Sequence, residues 1–213
     1  MKRTLTILYI HGMGGGGDSR IPSILRESMP PCVSVVCRTY DFDPETAHAM
    51  IEDWVRQLQP DLVIGESLGA LHAMRIEGVS RLFVSPALNA PVYFGVLSWL
   101  AYIPGVTLLF DRYYRPKEGD RQSLHFSPSV LGKYSSHRKA AFAAADRRGE
   151  TFHAFFGTHD HYRRSGVVSV KLWKRLFGNC FTMYEGSHFM EDEHIYGLLI
   201  PMILKVLSFP DRH

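Results

Sequence analysis

Leu62-Val63-Ile64-Gly65-Glu66-Ser67-Leu68-Gly69-Ala70-Leu71-His72-Ala73 is the stretch on which the reading of this chain turns. Leu62 to Gly65 is a short apolar run with β-branched residues, which predicts a buried strand. Leu68 to Ile76 is rich in Ala and Leu and predicts a helix. Between them Ser67 stands in Gly-x-Ser-x-Gly. A strand that turns this sharply into a helix holds the residue at the turn in a strained backbone conformation, with its hydroxyl presented at the sheet edge. Gly65 and Gly69 fit such a turn because a Cβ at either place would collide with the neighbouring strand or helix. The helix N-terminus adds a partial positive charge that favours an anion. Ser67 therefore reads as a nucleophile. The competing reading is a serine N-cap in a tight turn, and the surrounding chain has to separate the two.

Upstream, Thr4 to Ile10 reads as a buried strand that runs into His11-Gly12-Met13-Gly14-Gly15-Gly16-Gly17. Asp18 or Ser19 then looks like the cap of a helix to about Met29, ended by Pro30-Pro31. Val33 to Tyr40 is a second strand. Pro44 opens a helix to Leu58, with Ala47, Met50, Ile51, Trp54, Val55 and Leu58 on one face. Downstream, Arg81 to Ser85, Thr151 to Phe156 and Cys180 to Tyr184 read as strands. Ser136 to Arg148, Arg163 to Phe177 and Glu191 to Leu207 read as helices. Strands alternating with helices predict a mostly parallel sheet of about six strands, covered by helices on both faces, in one domain over residues 1–213. The working site of such a sheet lies at the carboxyl ends of its strands. From Ala87 to Ser135 the alternation breaks down, and this stretch, rich in Pro, Gly and aromatics, reads as an inserted cap.

An acyl-transfer serine needs a base, and the base needs an orienting acid. Asp160 follows the fifth strand in Gly157-Thr158-His159-Asp160, and His188 follows the sixth in Glu185-Gly186-Ser187-His188-Phe189. Both fall on the same sheet edge as Ser67, in the chain order Ser, Asp, His. The rivals are weaker by position. Asp146 and Glu150 sit inside or before the strand, His159 and His161 flank Asp160 too closely, and His194 lies on the last helix. Asp160 as a plain turn residue stays open. The oxyanion donors expected are the backbone N–H of Leu68 and that of Met13, with Gly14 as a second choice on the loop. No Gly-Lys-Ser/Thr follows the glycines, which argues against a phosphate cradle. His159-x-His161 lacks a carboxylate–His set, and no metal is expected.

The chain has 213 residues, 46% apolar and 21% charged, with a formal charge of +3. These values fit a globular fold rather than a disordered one. No run of five basic residues occurs, and Arg147-Arg148 and Arg163-Arg164 read as solvated pairs, so nucleic acid is not an expected partner. Cys32, Cys37 and Cys180 are odd in number with no CxxC spacing, which points to a reducing, cytoplasmic setting without disulfides. No secretory signal is read at the N-terminus. Leu82 to Phe110 carries no charge, and Val92 to Phe110 is long enough to cross a bilayer. Gly95, Pro104 and Gly105 interrupt it, which favours a folded-over cap, with membrane association through that cap held as an alternative. Trp99 and Tyr102 are expected to bind substrate there, walling a dry pocket for a medium-chain or aromatic acyl group.

These residues resemble the α/β-hydrolase superfamily over nearly the whole chain: Tyr9-Ile10-His11-Gly12, Gly65-Glu66-Ser67-Leu68-Gly69, Gly157-Thr158-His159-Asp160 and Gly186-Ser187-His188-Phe189. The size is similar to that of the small YqiA-like esterases and thioesterases. The resemblance implies a three-layer fold that lacks the first two strands of the full sheet. It implies serine-dependent cleavage of a small-molecule ester or thioester, without a cofactor. The long uncharged cap departs from that pattern. Two further functions suit the same scaffold: another reaction, such as that of a lyase, perhydrolase or carbon–carbon hydrolase, and a non-catalytic interaction protein. Oligomeric state is not legible.

Overall fold

A computed structural model describes residues 3–103, 105–113, 118–145 and 151–208. Its strands are β1 (Leu5–Ile10), β2 (Val33–Cys37), β3 (Leu62–Glu66), β4 (Ser80–Val84), β5 (Phe152–Gly157) and β6 (Phe181–Tyr184). They form one sheet in the order β2-β1-β3-β4-β5-β6, with every pairing parallel. The register sets Ile10 beside Gly65, Glu66 beside Val84, and Gly157 beside Tyr184. With Val84 beside Phe155, the carboxyl ends of these five strands are aligned along one edge.

Successive strand residues face opposite sides of a pleated sheet, and both sides here are apolar. Ile7, Tyr9, Ile64, Val84 and Phe155 face one layer, which holds α1 (Arg20–Ser28) and a C-terminal helical stretch, residues 192–206. Leu8, Ile10, Val63, Phe83 and Phe156 face the other. That layer holds α2 (Pro44–Leu58), α3 (Gly69–Met74), α6 (Pro128–Ala143) and α8 (Val170–Phe177). Between β4 and β5 the chain also builds α4 (Ala90–Leu100) and α5 (Val106–Tyr113). A short α7 (His161–Ser165) follows β5. The sheet is thus sandwiched between helical layers, as the alternation of elements predicts.

Several elements differ from the reading of the sequence. β2 stops at Cys37, because Tyr40 leaves the strand to stack on His11 with ring centroids 4.2 Å apart. α6 starts at Pro128, well before Ser136. The Ser127 hydroxyl accepts from the Val130 N–H, and proline at the first helical position lacks only an N–H that the helix would leave unpaired. The end expected at Arg148, like Asp146 and Glu150, lies outside the described residues. The single helix expected from Arg163 to Phe177 is two, parted at Gly166, whose φ of 81° ends α7. The last helix starts as α9 (Asp192–His194) and widens into a π-helical turn at Ile195–Leu199 before resuming as α10 (Ile200–Val206). Pro201 has no N–H to donate and its ring crowds the carbonyl four residues back, so the ladder opens there.

Candidate active site

The turn after β3 carries the strain expected of it. Ser67 has φ 50°, in the left-handed region that costs a non-glycine residue of order 1–3 kcal/mol. Its backbone is held in place from β4, because the Ser67 N–H donates to the Val84 carbonyl at 2.9 Å and the Ser67 carbonyl accepts from the Ala87 N–H at 3.0 Å. Space demands the glycines on either side. A Cβ on Gly65 would lie 2.7 Å from Ala73 Cβ, and one on Gly69 would lie 2.3 Å from the His11 carbonyl oxygen. The far end of α3 is fixed by the buried Arg81, whose guanidinium donates to the Met74 and Ile76 carbonyls.

Ser67, His188 and Asp160 are brought together. Ser67 Oγ lies 3.0 Å from His188 Nε2, and His188 Nδ1 lies 2.8 Å from Asp160 Oδ2. Asp160 and His188 are both buried. The Asp160 carboxylate works at two places: Oδ2 meets the imidazole, while Oδ1 accepts from the Tyr162 N–H as the N-cap of α7. The turn-residue reading of Asp160 and its orienting role are therefore compatible. Arg163 donates to the Gly157 and Thr158 carbonyls and secures the same loop. A Cβ on Gly157 would strike the Ser187 carbonyl at 2.3 Å, so glycine lets this loop approach the one that bears His188.

The His188 loop is tied from three sides. Tyr184 Oη donates to the Ser187 carbonyl, and the Ser187 N–H donates to Glu191 Oε1. Arg20, from α1, donates to the Phe189 and Met190 carbonyls and pairs with Asp192. The imidazole is edged by the ring of Tyr162, with centroids 4.7 Å apart. Beneath the serine, burial pushes the Glu66 carboxyl above its ordinary range, opposed by a 2.8 Å hydrogen bond from Tyr9 Oη and by attraction to His188.

The glycine loop is clamped by the segment that leads into α6. The Gly14 N–H donates to Gln122 Oε1 at 3.1 Å, the Gln122 N–H donates to the Gly15 carbonyl at 2.7 Å, and Gln122 Nε2 donates to the Asp41 carbonyl. A Cβ on Gly16 would lie 1.6 Å from the Asp120 carbonyl oxygen, so this approach requires glycine. Gly14, the second choice as an oxyanion donor, thus spends its N–H elsewhere. Among the described residues neither the Met13 N–H nor the Leu68 N–H makes a hydrogen bond. Ser19 precedes α1 as expected, yet its hydroxyl accepts from the Gly16 N–H instead of capping the helix. His11 is buried with its Nδ1 against the Gly12 carbonyl, and burial lowers its pKa to about 4.

Trp99 and Tyr102 do not wall a pocket over the serine. They are 80% and 75% exposed, Trp99 on the outward side of α4 and Tyr102 in the turn that follows it. Gln122 and Arg20 were not singled out from the sequence, and Arg163, read there as half of a solvated pair, instead bonds the loop after β5. Gln122 lies in a stretch without periodicity, and nothing local marks an arginine that bonds backbone carbonyls across the fold.

The profile of a family described as "Alpha/beta hydrolase family" matches residues 7–194. No curated protein matches the chain by sequence. Solved structures are similar in backbone. That of the metagenome-derived lipolytic enzymes LipS and LipT has a TM-score of 0.63 at 14% identity, covering 97% of this chain and 94% of that one. A carboxylesterase from the ammonia-oxidizing thaumarchaeon Nitrososphaera gargenis gives 0.60 at 12% identity, covering 97% and 92%. The type II thioesterase BorB of the borrelidin biosynthetic cluster gives 0.56 at 18% identity, covering 96% and 93%. At such identities the likeness is one of fold. A profile match across most of the sequence, on an all-parallel six-stranded sheet with helices on both faces, shows that the chain belongs to the alpha/beta hydrolase family.

Proposed function

We propose that this protein is a serine hydrolase that cleaves a carboxylic ester or thioester through an acyl-enzyme on Ser67. The observation that carries this reading is the contact chain from Ser67 Oγ to His188 Nε2 to Asp160 Oδ2, at 3.0 and 2.8 Å, with the serine at φ 50°. For Nε2 to accept a proton, the imidazole must carry its own on Nδ1, and the hydrogen bond to Asp160 Oδ2 holds that tautomer. As Oγ attacks the carbonyl carbon, its proton passes to Nε2. The carbonyl oxygen becomes an oxyanion, for which the Met13 and Leu68 amides are the proposed donors; losing one such donor typically costs about 3 kcal/mol of transition-state stabilisation. Nε2 then returns the proton to the departing alcohol oxygen or thiol sulfur, leaving the acyl group on Oγ. In the second half a water gives its proton to Nε2 and attacks the acyl carbon. Oγ leaves and is reprotonated, and the free acid is released. The lipolytic, carboxylesterase and thioesterase names of the similar structures support the choice of ester or thioester.

The test is Ser67→Ala. The wild type should hydrolyse short nitrophenyl esters and take up a fluorophosphonate label, and the variant should do neither while keeping its thermal stability. Undiminished turnover in the variant would overturn the assignment.

A further inference from the structure

α4 has eleven residues and no charge. Its inner side is in the core, where Phe94 packs against Phe42 and Tyr134 of α6. Its outer side and the turn beyond it are apolar too, and they face solvent: Val96, Trp99, Tyr102 and Ile103 are all exposed. α5 continues the face with Leu108, 71% exposed, and Leu109. Soluble monomers rarely leave two consecutive helices this apolar and this uncovered. No helix among the described residues is long and apolar enough to cross a membrane.

We propose that the outward face of α4 and α5 docks on a lipid bilayer that carries anionic headgroups, lying in its surface without crossing it. Three features of the face favour a lipid over a folded partner. First, its polar atoms are few, whereas a protein interface carries about one hydrogen bond per 100–200 Å². Ser98 Oγ is engaged within the helix, with the Gly95 carbonyl. What remains is largely Trp and Tyr, rings with an apolar body and a polar tip, which collect at membrane–water boundaries. Second, the charge around the face is sparse and mostly basic. No Asp or Glu occurs from Gly78 to Phe110, and Asp111 is followed at once by exposed Arg112 near the end of α5. Exposed Arg164, beside Arg163, borders α4 through Tyr93, whose hydroxyl donates to the Ser165 carbonyl. An apolar helical face edged by arginines matches an anionic surface. Third, the face adjoins the catalytic edge, since α7 carries both Arg164 and Tyr162, the residue against His188. If the serine hydrolase reading holds, docking would deliver a membrane-dissolved acyl ester to Ser67.

The experiment is co-sedimentation of the full chain with vesicles of phosphatidylcholine, with and without phosphatidylglycerol. Wild type and Ser67→Ala should both sediment, and more strongly with phosphatidylglycerol present. A Val96→Asp, Leu108→Asp double variant should bind at least roughly tenfold more weakly while turning over a water-soluble nitrophenyl ester like the wild type. Wild type that stays in the supernatant, or a double variant that sediments equally, overturns the proposal, as does indifference to phosphatidylglycerol. A vesicle-free dimer that the double variant dissociates would give the face to a second copy instead. Activity on the soluble ester is read independently, so failure of the docking idea and failure of the hydrolase reading are distinguishable.

Discussion

At the scale of single residues, Asp160 is the most informative. Its two oxygens do different things, one facing His188 and the other capping α7. Substitution can separate them. Asn caps a helix about as well as Asp but cannot hold an imidazolium, so Asp160→Asn should keep its melting temperature and lose roughly 10⁴-fold in kcat. Asp160→Ala should lose comparable activity and also about 1 kcal/mol of stability, a fall of about 2–4 °C in a chain of this size. Calorimetry beside steady-state kinetics on both variants reads the two effects. Equal melting temperatures for the two variants would argue against the capping role. Ser67, Asp160 and His188 were placed on one sheet edge from the sequence because each follows a strand in a glycine-bearing turn, and a strand's end dictates the edge on which its next residue emerges. Glu66 was quoted only as the variable position of the serine motif, and its contact with Tyr9 arises from the pairing of β1 with β3.

At the scale of elements, the glycine loop depends on Gln122. This side chain is almost wholly buried and ties the loop to the segments around Asp41 and Asp120. In the proposed mechanism it positions the Met13 amide without touching substrate. Gln122→Met, close in volume but without hydrogen bonds, should lower kcat by roughly tenfold with little change in KM, because only transition-state binding needs the aligned amide. A rise in KM at constant kcat would show that Gln122 serves ground-state binding instead. Most elements were legible because apolar spacing and proline or glycine punctuation mark them. Gly166 and Pro201 also broke helices as their chemistry dictates, yet the periodic pattern running through them suggested continuity. The early start of α6 was hidden because its buried stripe, Leu131, Tyr134, His137 and Ala141, is weakly apolar, with a histidine and an alanine among its members.

At the scale of the whole molecule, His11, His72 and His137 are buried and a fourth histidine, His48, is half-buried beside them. The His72 and His137 rings lie tilted with centroids 4.4 Å apart, with His48 beyond His137 and His11 reached through Tyr40. Burial lowers all four. His137, also repelled by Arg75, falls to about 3 and His11 to about 4, while Glu52, 3.2 Å from His48, partly offsets the effect there. The folded state thus binds fewer protons than the unfolded chain, whose histidines titrate near 6.5. Stability is therefore fully present above about pH 6.5 and is lost as pH falls, by about 1.4 kcal/mol per pH unit for each histidine, until the folded values are reached. Urea unfolding at about pH 7.5 and about pH 5.5 should show this loss, and His137→Gln should make the slope shallower. A slope unchanged by that substitution would assign the acid sensitivity to other groups.

By itself, the sequence determined the sheet, its order of strand and helix, and the edge at which Ser67, Asp160 and His188 emerge. Those follow from local rules: a strand's apolar run, a glycine that alone fits a crowded turn, and the alternation that forces parallel pairing. Tertiary structure alone decided the rest. It passed the Gly14 N–H to Gln122, more than a hundred residues away, and brought Arg20 to the His188 loop. It also turned Trp99 and Tyr102 outward, where composition had suggested a pocket wall. Local patterns fix which residues are apolar and where the chain must bend. Which surface covers an apolar face, and which distant donor meets a backbone amide, depends on the packing of elements far apart in the chain.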